Sequence, residues 1–139
     1  MSALLDKRLN YGRIGHRCAF IPNTNKILIT GGFNGAIGIN GAGDLDVTEI
    51  LDTDNGSVTI ASSMNCKRTY HGMGVITING EQRLAVFGGS NEEMELDSIE
   101  LYNTQTGQWE TTDMKLMEPK SGFGSLTIEL TVPKISDQI

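Results

Sequence analysis

The chain has 139 residues, 38% of them hydrophobic and 20% charged, which is the length and composition of one ordinary globular domain. Its net charge of -6 argues against nucleic-acid binding, because phosphate contacts need clustered Lys and Arg. No apolar run is long enough to span a bilayer and the N-terminus lacks the apolar stretch of a signal peptide, so we expect a cytoplasmic protein without a membrane partner.

The first half of the chain predicts four short strands. Apolar runs are separated by polar turns, and the second run ends in two consecutive glycines. Runs of about five residues that are β-rich and bounded by Gly, Asn and Asp are typical of strands linked by hairpins. No helical periodicity extends over a useful length. The predicted strands are 18–21, 27–30, a run that begins at Thr48, and 58–61.

The second half repeats this order of elements. An Arg-x-x-His pattern opens both halves, and its histidines, His16 and His71, lie 55 positions apart. Each histidine precedes an apolar run, a polar turn and a second apolar run that ends in a glycine pair. A repeat of about 50 residues with four strands in each unit predicts the blades of a β-propeller.

The repeated positions resemble the kelch motif. Both units have the glycine pair and a Glu on the third strand, and the second unit adds a Tyr two residues after that Glu and a Trp seven residues after the Tyr. The first unit has Leu51 and Val58 in the places of the Tyr and the Trp. The resemblance implies that these aromatic residues pack between blades. The motif residues are Gly31, Gly32 and Glu49 in the first unit, and Gly88, Gly89, Glu100, Tyr102 and Trp109 in the second.

We therefore expect an all-β fold with two four-stranded antiparallel kelch-type propeller blades plus the first strand of a third, that is, a partial β-propeller. Because propellers close with four to eight blades, we also expect either a fragment of a longer protein or, if the chain is complete, a homo-oligomer. The predicted divisions are a lead-in at 1–12, in which 3–5 is a candidate outer strand of a preceding blade, blade 1 at 13–64, blade 2 at 65–117, and a third-blade strand with a tail at 118–139.

One end of the blades is predicted to bind a partner protein. Alternate connections of a meander lie at the same end, so the loops between strands 2 and 3 share this end with the links between blades. Mixed charges and aromatic residues on loops over a rigid scaffold are typical of binding surfaces. The kelch resemblance implies the same, since kelch proteins engage partner peptides there. The predicted partner-binding residues are Phe33, Asn34, Lys67, Arg68, Tyr70, Asn91, Glu92, Glu93 and Glu95, with Arg13 on the same face.

The sequence does not predict a cofactor, a metal or catalysis. The glycine-rich segment 31–44 lacks the Gly-Lys-Ser/Thr of a phosphate-binding loop, and 52–56 misplaces the glycine of an EF-hand. The two histidines lack further ligands at suitable spacing, and the two cysteines fit no zinc pattern. We interpret His16 and His71 as structural residues that cap the first strand of each unit.

The function that we expect is protein–protein recognition, for example as the substrate-selecting part of an adaptor. One alternative is a fragment of a kelch-type propeller enzyme, similar to galactose oxidase or to sialic-acid mutarotases. Galactose oxidase needs a copper site, and no Tyr, Cys and His set at matching motif positions is present. A carbohydrate-binding module is the other alternative, and it rests on the Asn- and Gly-rich loops.

Overall fold

The computed structural model describes residues 8–35 and 43–122 with their side chains, and the backbone of 129–132. Within these ranges the regular elements are β-strands, and none of the described residues forms a helix long and apolar enough to cross a membrane. The candidate outer strand at 3–5, the centre of the glycine-rich loop at 36–42, and most of the expected third-blade strand and tail, 123–128 and 133–139, lie outside the described residues.

Blade 1 is a four-stranded antiparallel sheet. Its second and third strands are joined by a loop that contains a short two-stranded hairpin. The sheet is a simple meander, in which each long strand pairs with the next long strand in the chain. Its strands are β1 Arg17–Phe20, β2 Lys26–Thr30, β5 Thr48–Asp52 and β6 Val58–Ala61, and the hairpin strands are β3 Phe33–Asn34 and β4 Gly43–Asp44.

Blade 2 repeats the meander with longer strands. Its four antiparallel strands stand in the order β7-β8-β9-β10, so the expectation of two four-stranded blades is confirmed. The turn between β9 and β10 ends at Gly107, whose φ of 71° is the left-handed conformation that favours glycine. The strands are β7 Gly72–Ile78, β8 Glu81–Phe87, β9 Ser98–Asn103 and β10 Gln108–Lys115.

The C-terminal strand differs from the expected start of a third blade. Strand β11, Glu129–Val132, pairs in parallel with β7 and becomes the fifth strand of the second sheet. The first strand of a blade carries unpaired N–H and C=O groups along its outer edge, and a β-rich segment satisfies them. The described part of this segment therefore extends blade 2 and does not begin a new sheet.

The main core lies between the two blades. Alternate residues of each strand point to opposite faces of its sheet, and one face of blade 2 packs against one face of blade 1. The rings of Tyr102 and Trp109, opposite each other on β9 and β10, are 5.2 Å apart and inclined at 58°. The expected packing of these aromatic residues between blades is confirmed. The buried cluster contains Ile21, Leu28, Met64, Met73, Leu84, Val86, Tyr102 and Trp109.

Blade 1 has an apolar outer face that the described residues leave open to solvent. Cys18 and Phe20 alternate with the residues of β1 that face blade 2, and the antiparallel registers place Ile60 on the same side as Cys18. Phe20 is 56% exposed and Ile60 is 59% exposed. Self-association of the chain, which the open face favours, remains a prediction.

Candidate functional site

The links between blades, 64–70 and 117–121, lie on the strand 2–3 loops. In blade 1, the N–H of Gly32 donates to the carbonyl of Arg68 at 2.8 Å, and the N–H of Arg68 donates to the carbonyl of Leu45 at 3.1 Å. The N–H of Tyr70 then donates to the carbonyl of Gly15 at 2.8 Å. The loops and links therefore form one surface at one end of the blades, as the meander topology predicts. We call this surface the loop face.

The same hydrogen bonds recur one blade later. The N–H of Gly89 donates to the carbonyl of Lys120 at 2.7 Å, and the N–H of Lys120 donates to the carbonyl of Leu96 at 3.1 Å. The N–H of Gly122 donates to the carbonyl of Tyr70 at 3.0 Å. Lys120 thus takes the place that Arg68 has in the first link, so the segment that follows blade 2 repeats the link geometry.

Arg68 supports the loop face from inside the protein. Its side chain is fully buried and forms a 2.9 Å ion pair with Glu100. It also donates to the carbonyls of Gly88 and Ser98, at 2.9 and 3.0 Å. The other carboxylate oxygen of Glu100 accepts from the backbone and side-chain N–H groups of Asn65, at 2.7 and 3.0 Å. The prediction of Arg68 as a partner-binding residue is wrong, because no part of it reaches the surface.

Blade 1 contains the same network. Arg13 pairs with Glu49, both side chains are fully buried, and the guanidinium donates to the carbonyls of Gly31 and Val47 at 2.7 and 2.9 Å. Asn10 donates its backbone and side-chain N–H groups to Glu49. The sequence carries a signal for this network, an Asn-x-x-Arg pattern at the start of each blade. Its two copies are Asn10–Arg13 and Asn65–Arg68.

Each glycine pair forms the turn at the end of the second strand of its blade, and a link between blades packs over this turn. Gly31 and Gly32 have φ values of 61° and 97°, and Gly88 and Gly89 have 64° and 90°. Each value lies in the left-handed region that only glycine adopts at little cost. A residue with a Cβ would therefore be strained at each of these four positions.

His71 joins the two blades. Its ring Nε2 lies 2.8 Å from the hydroxyl of Thr30 in blade 1, and the imidazole is fully buried. Burial, with smaller contributions from the nearby charges of Arg68 and Arg17, lowers the pKa of His71 to about 3. His16 is half-buried and its pKa is also lowered, chiefly by burial. Among the residues that the structure describes, no group of three His, Cys, Asp or Glu side chains could hold a metal ion.

The buried neutral imidazole predicts a loss of stability in mild acid. Between the folded-state pKa of about 3 and the ordinary value of 6.5, the unfolded chain binds a proton that the folded protein rejects. The free energy of unfolding should therefore fall by up to ~1.4 kcal/mol for each unit that the pH drops within this window, and the full contribution of His71 is present above 6.5.

Urea denaturation across this pH range measures the effect of His71. His71→Gln should flatten the dependence of the free energy of unfolding on pH, since glutamine does not titrate. His16→Gln serves as the control, because that half-buried ring should contribute a smaller slope. An unchanged slope in His71→Gln would show that His71 does not drive the acid sensitivity.

Most of the other predicted partner-binding residues are on the surface. The side chain of Asn91 instead organises the loop before β9, because its Oδ1 accepts from the N–H groups of Glu93 and Met94 at 3.0 and 3.2 Å. Its Nδ2 donates to the carbonyl of Lys67 at 3.1 Å, which ties the loop to the link. The exposed members of the set are Phe33, Lys67, Tyr70, Glu92, Glu93 and Glu95, and Asn34 and Asn91 are partly buried.

The sequence-based prediction did not include two exposed apolar residues of the loop face, Ile14 and Met94. Ile14 and Phe33 exchange backbone hydrogen bonds of 3.1 and 2.7 Å, and Met94 lies at the tip of the loop before β9. The bridge between Ile14 and Phe33 corresponds to the bridge between Thr69 and Ser90 in blade 2. Comparison of the two units signals Ile14, because an apolar residue stands where its repeat partner is polar.

Two stacked four-stranded meanders, joined by links that cover glycine turns, define a repeat protein of the β-propeller type. Residues 83–112 match the family model of the kelch motif, and this range contains the second glycine pair, Glu100 and both stacked aromatic residues. The match confirms the resemblance of the second unit to the kelch motif and supports a kelch-repeat family. No curated protein matches the chain.

Proposed function

We propose that this chain is a protein-recognition module that binds a partner protein through the loop face. The observation that carries the proposal is that some charged residues of this face are buried and structural, whereas others are exposed. Arg13 and Arg68 are fixed in buried pairs that hold the loops in place, whereas Glu92, Glu93 and Lys67 point into solvent. Rigidly supported loops with exposed charges and aromatic residues suit recognition.

The kelch motif supports this proposal, since kelch repeats are commonly used for protein interaction. We extend it to a non-enzymatic role, for example in an adaptor. The buried histidine is held by Thr30 and is neutral, so it serves the contact between blades. A cytoplasmic location is part of the proposal and agrees with the two free cysteines, Cys18 and Cys66.

Charge reversal at the two ends of the blades tests the proposal. The loop-face variant is Glu92→Lys/Glu93→Lys. The opposite-end variant, Asp54→Lys/Glu81→Lys, makes the same change of charge in exposed turns at the other end, where the N–H of Thr53 donates to the carbonyl of Asn25. Neither variant should shift the thermal unfolding transition appreciably, because exposed charges contribute little to stability.

Proteins captured from a cell lysate by the immobilised chain are then compared by quantitative mass spectrometry. We expect a set of proteins that wild type and the opposite-end variant retain and that the loop-face variant loses, since charges at a binding surface control association. Equal capture by all three forms would contradict a binding role for the loop face.

A further inference from the structure

We infer that the loop face binds a basic segment of its partner that carries an aliphatic or aromatic anchor residue. This inference rests on the proposed function and specifies the chemistry of the partner. It is carried by an exposed apolar patch, an acidic border that is contiguous with the patch, and the burial of the two arginines that would otherwise neutralise this border.

The apolar patch consists of Ile14, Phe33 and Tyr70, which are 61%, 39% and 46% exposed. Ile14 and Phe33 are hydrogen-bonded neighbours, and Tyr70 is bonded through its N–H to the carbonyl of Gly15. A groove runs between the Ile14 segment and the Phe33 hairpin and is lined on one side by Gly12. Neighbouring exposed apolar side chains around a groove indicate a place for the side chain of a ligand.

The Ile14–Phe33 pair of the patch belongs to blade 1 and is not repeated in the described residues of blade 2. The corresponding bridge in blade 2 joins Thr69 and Ser90, and the hydroxyl of Thr69 donates to the carboxylate of Asp44 at 2.6 Å. Blade 2 therefore forms the same backbone bridge without apolar side chains. Since the fold does not require Ile14 and Phe33 to be apolar, their exposure points to a ligand.

An acidic border adjoins the patch directly. Phe33 pairs with Asp44 across the short hairpin, and Asn34 pairs with Gly43. A Cβ placed on Gly43 would stand 3.6 Å from a carboxylate oxygen of Glu92, so the acidic loop reaches this hairpin. The hydrogen bonds of Asn91 hold that loop in a defined turn. The apolar patch and the carboxylates thus belong to one surface.

The charge of this surface is negative, because its two arginines are unavailable. Arg13 and Arg68 are paired inside the protein with carboxylates that are equally buried. Lys67 and Lys120 are the remaining exposed cations among the described link residues. They face a larger set of acidic residues, so complementarity favours Lys and Arg in the partner, placed around an apolar residue that fills the groove. The acidic residues of the loops are Asp44, Asp46, Glu92, Glu93, Glu95 and Asp97.

Selection from a random peptide display library tests the inference. The library is selected on the immobilised chain and counter-selected on the loop-face variant. We expect the enriched peptides to carry several Lys or Arg residues around one aliphatic or aromatic residue. One enriched peptide is then synthesised in three forms, namely as selected, with Glu at its basic positions, and with Ser at its anchor. Binding is measured by fluorescence anisotropy at about 0.05 M and about 0.3 M salt.

The selected peptide should bind wild type and the opposite-end variant equally well, and at least about tenfold more weakly to the loop-face variant and to Ile14→Ser/Phe33→Ser. The Glu form and the Ser form should each lose about tenfold, and high salt should weaken binding of the selected peptide. Enrichment of acidic or uncharged peptides, or no enrichment at all, overturns the inference. If the loop-face variant still loses captured lysate proteins in that case, the proposed function stands and only the partner chemistry fails.

Discussion

Arg68→Ala should lower the free energy of unfolding by about 3–5 kcal/mol, the largest effect that we expect from any single substitution. The substitution leaves Glu100 buried without its counter-charge, and it removes the donors that satisfy the carbonyls of Gly88 and Ser98. Breaking a buried pair on one side is costly because the remaining charge has neither water nor a counter-charge to stabilise it. The total stability of a domain is only about 5–15 kcal/mol, so this loss is a large fraction of it.

Urea denaturation of Arg68→Ala, compared with Arg83→Ala, measures this effect. Arg83 and Glu110 also form a 2.8 Å pair, but their side chains are 17% and 45% exposed, so this control should lose no more than about 1 kcal/mol. If Arg68→Ala does not fold, Arg68→Lys retains the charge without the planar guanidinium and should give an intermediate loss. Equal losses in Arg68→Ala and Arg83→Ala would contradict the structural role of the buried pair.

The role of Arg68 shows why sequence reasoning identified the loop face but misassigned one of its residues. The Arg-x-x-His repeat located the link at Arg68 and the matching segment before blade 1 at Arg13, because it depends on neighbouring residues. Whether a link cation is exposed depends on a carboxylate 32 residues away on another strand, and the kelch motif marks Glu100 without indicating which residue it pairs with. Two repeated features together indicate the buried Arg–Glu pair of each blade. They are the Asn-x-x-Arg pattern at the start of each blade and the Glu on each third strand.

The position of the apolar patch and the pairing of the last strand could not be predicted from the sequence, for similar reasons. Ile14 reads as an ordinary apolar residue until the register places it beside Phe33 at the surface. The alternation of apolar residues over 125–130 predicts a strand, but strand propensity does not specify which edge it joins. The unpaired edge of β7 is available within the same chain, and the described strand Glu129–Val132 joins it. The hydrophobic alternation and the glycine turns of the two blades, in contrast, are local signals, and both blades were predicted from them.

Gly89→Val should destabilise the protein by about 3 kcal/mol or more, since it combines backbone strain with a steric clash. Gly89 has a φ of 90°, which a β-branched residue adopts only at a cost of about 1–3 kcal/mol. A Cβ at this position would also stand 2.7 Å from the Cβ of His71 and 2.9 Å from the carbonyl oxygen of Thr69. Both neighbours lie on the segment that opens blade 2, where Thr69 bridges Ser90, so the clash would push this opening segment away from the glycine turn.

Equilibrium denaturation of two matched variants separates the strain from the clash. Gly80 has a φ of 81° with no atom within 4 Å of an added Cβ, so Gly80→Val should lose only the backbone contribution, about 1–2 kcal/mol. Gly12 has the same open space without a left-handed φ, and Gly12→Val should be close to neutral. A loss in Gly89→Val no larger than that in Gly80→Val would show that the opening segment of blade 2 tolerates a side chain at the glycine pair. In that case, only the backbone conformation, and not the close approach of this segment, would require glycine there.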